Sequence, residues 1–138
     1  MEHYIDSAHN KIIKEINSLK NKRDREKKGL FVLEGERLVS EINSEWNVKY
    51  IAVSESFTGK AEAERVYRIK DSLFEKISDT VTPQGILAVC EIREFSVEDI
   101  DYSNDPFFVI LENVTDPGNM GTIIRTADAA GADGIFVT

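Results

Sequence analysis

The sequence is poor in the residues that announce a metal or redox site. It holds one cysteine, Cys90, and two histidines, His3 and His9. One thiol can form neither an internal disulfide nor a thiolate zinc cluster, and the two histidines have no third ligand beside them, so no metal is expected. Cys90 lies in "GILAVCEI", which reads as a buried strand where a thiol packs as a small hydrophobe. Also missing is any apolar run near the ~20 residues of a membrane span. The opening "MEHYIDSAHNKIIKEI" is too polar for a secretory signal. The expectation is a cytoplasmic protein without a membrane partner.

Positive charge is scarce overall but gathered in one place. Net charge is −8, yet between Lys11 and Lys28 eight basic residues face three acidic ones, so this segment is +5 and the remainder −13. A local positive face on an acidic body can still attract a phosphate backbone, because phosphates respond to the local field. The competing reading is a solvated helix face laced with i,i+4 ion pairs.

"SAHNKIIKEINSLKNKRDREKKG" reads as one helical stretch with Ser7 as N-cap. Ile12, Ile13, Ile16 and Leu19 recur at helical spacing, and Gly29 supplies the stop. "LFVLEG" reads as a strand, and "ERLVSEINS" as a helix with Leu38, Val39 and Ile42 inward. "VKYIAVSES" is a second strand, followed by a turn and a short helix in "FTGKAEAE". "RVYRIK" is a third strand, "DSLFEKISD" a helix capped by Asp71, and "TPQG" a turn into "ILAVCEI". Strands alternating with helices predict a three-layer α/β/α sandwich. Trp46 reads as a lid over its core. The polar, acidic stretch 93–106 reads as a linker, and "FFVILEN" as a strand buried on both faces of a parallel sheet.

The chemistry concentrates in "ENVTDPGNMGTIIRTADAAG". A strand delivers the chain to a loop at its C-terminal end, where open parallel sheets place their ligands. Pro117, Gly118 and Gly121 allow tight turns, and Asn119 can cap the helix running to about Ala130. The helix N-terminus favours a nearby anion, and Arg125 carries a permanent charge. No Gly-Lys-Ser/Thr follows and no GxGxxG is present, so neither a Walker A loop nor a dinucleotide fingerprint fits. On these residues alone, an anion-binding loop and a plain β–α turn with a surface Arg both remain open.

The stretch "NVTDPGNMGTIIRTADAAGADGIFVT" resembles the first motif of the SpoU/TrmH family of RNA ribose 2′-O-methyltransferases, in the SPOUT class of knotted enzymes. That motif runs D-P-x-N-x-G, then Arg-Thr-Ala, then Gly. It stands here as Asp116, Pro117, Asn119, Gly121, Arg125, Thr126, Ala127 and Gly131. The front of the chain resembles the family's RNA-binding extension, with a Lys-rich helix before "GLFVLEGERLV" and a later "TPQGILAV".

The resemblance implies a substrate-binding domain over 1–92, a linker over 93–106, and the first β–α–β of a SPOUT domain over 107–138. It implies S-adenosylmethionine as cofactor, RNA (ribosomal rather than transfer RNA) as substrate, and a homodimer in the complete protein. Asn119 and Arg125 would stand at the catalytic centre, with Glu112 or Asp116 either orienting Arg125 or capping backbone. Lys14, Lys22, Arg23, Arg25 and Arg37 are the candidate phosphate contacts. Phe31, Tyr50, Tyr67 and Phe74 read as core rather than base-stacking platforms. The family's cofactor-binding residues belong to two later motifs beyond Thr138, so the 138-residue chain alone is expected to be inactive. The alternative is a non-catalytic RNA-binding module.

Overall fold

Strand alternation builds the first unit. The computed structural model describes residues 2–138, and the chain divides into Met1–Arg93 and Glu94–Thr138. Strands β1 (Glu2–Ile5), β2 (Leu30–Glu34), β3 (Val48–Ser54), β4 (Val66–Ile69) and β5 (Ile86–Glu91) form one sheet in the order β1-β4-β3-β5-β2. β4 runs parallel to β1 and β3, whereas β5 is antiparallel to both of its neighbours.

Helices α1 (Lys11–Ser18), α2 (Lys22–Lys28), α3 (Glu36–Ser40) and α4 (Asp71–Ile77) complete the unit. Successive strand residues point to opposite faces. Tyr50, Ala52, Leu87 and Val89 therefore pack with Ile12, Ile13 and Ile16 of α1 and Leu73, Phe74 and Ile77 of α4. Ile51, Val53, Ile86, Ala88 and Cys90 form a second core under Val39, Ile42 and the 57–63 loop. This is the expected three-layer sandwich, but its second outer layer is only a five-residue helix and a loop. Residues 86–90 are at most 2% exposed, which explains the unbroken apolar run around Cys90.

Several local expectations give way. The long basic helix is two helices. Asn10, not Ser7, caps α1 by accepting from the Ile12 N–H at 2.9 Å. Asn21 restarts the helix by accepting from Arg23 N–H at 2.9 Å. Gly29, with φ 62°, ends α2 in the left-handed conformation. Leu38 is exposed rather than inward, because only Val39 and Ile42 reach the short helix's packed side. No helix forms in 57–64. Asp71 does not cap α4; its carboxylate accepts from the Ser56 N–H and hydroxyl at 2.9 and 3.1 Å and ties the β3 exit to α4. β1 was not foreseen: four residues ahead of the first helix are too few to show a period. Trp46 stacks at an angle on Phe31 (centroids 5.9 Å apart) but stays partly exposed, so it caps a rim more than a core.

The second unit holds a 3-10 turn (Val97–Asp99) in which Ser96 and Asp99 make a reciprocal capping box, then β6 (Phe108–Leu111), α5 (Pro117–Ala129) and β7 (Gly134–Val137). β6 and β7 are parallel. Leu111 and Ala127 are the buried hydrophobics here, while Ile110 is 69% and Val137 54% exposed.

Gly85 packs tightly against the end of β3. Its φ is 77°, its carbonyl accepts from Ser54 N–H at 2.8 Å, and a Cβ there would lie 2.6 Å from Ser54 Oγ. Gly29 has a similar φ with open space around it. Gly29→Ala should cost about 1–2 kcal/mol for the left-handed backbone alone, and Gly85→Ala about 1 kcal/mol more for the displaced hydroxyl. Urea midpoints at equal m-value check this; equal losses would show that Ser54 moves aside freely.

Candidate functional site

The basic segment becomes a two-helix surface. Burial of the isoleucines turns Lys11 and Lys14 outward on α1, and on α2 the residues Lys22, Arg23 and Lys27 are exposed. Among the described residues, Lys11, Lys14, Arg23 and Lys27 have no acidic partner. Lys22 lies 3.7 Å from Glu26, an exposed pair that does little to hold it. Glu15, the carboxylate of α1, is engaged inward by Lys49 Nζ at 3.0 Å and by the Tyr50 hydroxyl at 2.9 Å. Burial, then that carboxylate, push the Tyr50 hydroxyl far above the usual phenol range. It therefore remains a donor at any neutral pH.

Arg25 differs from its neighbours. It is half-buried, and its Nη1 donates to the Leu19 and Lys20 carbonyls at 3.0 and 2.9 Å, closing the end of α1 onto α2. Lys20 is likewise committed, to the Ser78 carbonyl and to Asp79, both at 3.0 Å. Arg37 is exposed but pairs with Glu41 at 3.2 Å, and α3 lies in the opposite layer from α1. Lys14, Lys22 and Arg23 thus share the α1–α2 surface, while Arg25 braces it and Arg37 stands apart.

In the second unit β6 ends at Leu111, and the chain reaches α5 through a loop with Asn113 at φ 56°. Asp116 is the N-cap, its carboxylate accepting from the Asn119 N–H at 2.6 Å, and Pro117 opens the helix. Asn119 therefore sits in the first turn and is not the cap; the preference for Asp before an N1 proline was the signal. Asp116 takes the backbone-capping role of the two left open for it. Asn119 and Arg125 are both exposed. Six positions apart, they stand roughly 9 Å along the helix and about 120° around it, so they do not stack directly over each other. Gly121 and Gly118 lie one and two turns before Arg125 on its own side. A helical side chain leans toward the N-terminus, so this bare lane lets the guanidinium reach back toward the helix start. A Cβ at Gly121 would meet nothing within 4 Å.

Residues 10–88 match the MRM3-like substrate binding domain, and residues 106–138 match the SpoU rRNA Methylase family. The chain belongs to the SpoU/TrmH family. A Bacillus subtilis relative, 23S rRNA (guanosine(2553)-2′-O)-methyltransferase RlmP, is 36% identical over 137 residues, covering 96% of this chain and 53% of its own. Human mitochondrial rRNA methyltransferase 3 is 30% identical over 87% of this chain and 31% of its own. The crystal structure of an AdoMet-bound rRNA methyltransferase from Sinorhizobium meliloti superposes with a TM-score of 0.81 at 31% identity, over 99% of this chain and 54% of that one. The chain spans about half the length of the Bacillus subtilis RlmP relative and of a Synechocystis relative named as an uncharacterized tRNA/rRNA methyltransferase. Among the described residues no helix is long and apolar enough to cross a membrane, and no acidic, His or Cys cluster could hold a metal.

Arg25's bracing role was invisible in the charge pattern, because its partners are carbonyls, which every residue carries. Arg25→Ala should lower stability by about 1–2 kcal/mol, whereas Arg23→Ala should stay within about 0.5 kcal/mol of the parent. Chemical denaturation of the two variants compares them directly; equal stability would remove the brace.

Proposed function

We propose that the whole protein transfers a methyl group from S-adenosylmethionine to a ribose 2′-hydroxyl of RNA, ribosomal RNA foremost. It would act in the cytoplasm as a homodimer. Residues 1–92 hold the RNA, residues 93–106 link, and residues 107–138 present Asn119 and Arg125 to the reacting ribose. The observation that carries this reading is the Asp116-capped start of α5 with a glycine-cleared lane in front of Arg125.

The residues of this chain do not by themselves fit the cofactor. Pro117, Gly118 and Asn119 are exposed, and no buried side-chain polar atom among the described residues is left without a partner to mark a preformed cradle. What the chain offers is the substrate side. The hydroxyl must lose its proton as it attacks, so negative charge develops on its oxygen. The permanent guanidinium of Arg125 can stabilise that charge or clamp the adjoining phosphate. Service as a base would require deprotonating a group whose pKa lies above ~12. Asn119, held at the helix start, can hydrogen-bond the ribose.

In a protein extended to the length of its relatives, Arg125→Ala should cut methyl transfer by about 10²–10³, with cofactor affinity by calorimetry unchanged within about twofold. Loss of both together would make Arg125 a folding residue. Calorimetry on the 138-residue chain should show no micromolar S-adenosylmethionine complex. Finding one would place the cofactor site in this half, and RNA binding without any transfer in the extended protein would leave only the binding module.

A further inference from the structure

The two outer layers of the first unit differ in sign. The α1–α2 segment and α4 together carry nine cations against five carboxylates, whereas 36–47 and 55–65 carry three cations against six. The sheet between them keeps these fields apart. The positive layer has a second property: segment 10–29 contains no aromatic residue, and Phe74, the ring of α4, is 1% exposed.

Unpaired RNA is gripped by stacking its bases on exposed rings, whereas base-paired RNA offers phosphates and ribose hydroxyls and hides its bases. A surface of cations without rings suits the second. Lys11 and Lys14 are neighbours on one helix, and Arg23 and Lys27 on the next, each pair about 5–6 Å apart at Cβ, a spacing that can follow successive phosphates. Asn17 and Asn21, exposed between them, can reach ribose hydroxyls. Arg25 holds the two helices at a fixed angle, so the four cations are presented as one array.

Resting on the reading of residues 1–92 as the RNA-holding unit, we propose that the α1–α2 surface binds base-paired RNA through its phosphates. The acidic α3 layer is turned away from the nucleic acid.

The test is fluorescence anisotropy of the whole chain with a labelled RNA hairpin and an unstructured strand of equal length, titrated at several salt concentrations. The hairpin should bind about tenfold tighter. The triple variant Lys14→Glu, Arg23→Glu, Lys27→Glu should lose at least about tenfold and flatten the salt slope by about three. Lys60→Glu, in the opposite layer, should bind as the parent does. Circular dichroism of each variant confirms that the fold is kept. Equal or tighter binding of the unstructured strand overturns the proposal while leaving RNA binding intact. An unaltered triple variant, or a Lys60→Glu loss of similar size, overturns the placement of the surface. Failure to bind either RNA overturns the underlying reading itself.

Discussion

The first unit depends on covering β5 from both sides. A strand of consecutive apolar residues with neither face wet must be sandwiched, and its antiparallel insertion between β3 and β2 leaves neither of its edges unpaired. Burying five such side chains is worth on the order of 10 kcal/mol before chain entropy is set against it. Three helices of this unit, α1, α3 and α4, are placed by that requirement. α1 and α4 cover the face of Leu87 and Val89, and α3 with its following loop covers that of Ile86, Ala88 and Cys90.

The connections are fixed by polar groups, not by more core. The Glu34 carboxylate accepts from the Ser78 hydroxyl, from Asp79 N–H at 2.9 Å and from the Thr80 hydroxyl at 2.8 Å, anchoring the exit of α4 to the end of β2. Arg68 spans the Ser54, Glu55 and Phe57 carbonyls at 3.1–3.2 Å and shapes the turn after β3. With the loops tied in this way, the outer surfaces of the helices are free to carry charge for other purposes. Segregating that charge between two layers is what lets an acidic protein offer a basic face.

Much of this was legible in the residues. Isoleucine spacing gave the inner side of α1, short apolar runs gave β2 to β5, and the Asp116–Arg125 motif located the loop and helix of the second unit. What escaped depended on choices among equivalent local signals. Ser7 and Asn10 are both good caps, and only packing of Ile12 and Ile13 selects the second. Asn21 looked like an ordinary surface residue inside a basic run, yet it divides the helix. Asp71 stood where a cap belongs but was drawn to Ser56. Among the cations, sequence could count charges but could not separate Arg25, whose guanidinium binds backbone carbonyls, from Arg23, which has no acidic partner among the described residues.

The two units differ in how they are held. β5 is buried on both faces, whereas β6 and β7 share a single helix and leave Ile110 and Val137 exposed. Amide hydrogen exchange on the dilute chain measures this difference directly. The account predicts that amides of β3 and β5 exchange only through global unfolding, while those of β6, α5 and β7 exchange orders of magnitude faster, by local opening. Protection in 107–138 as strong as in β5 at low concentration would contradict it.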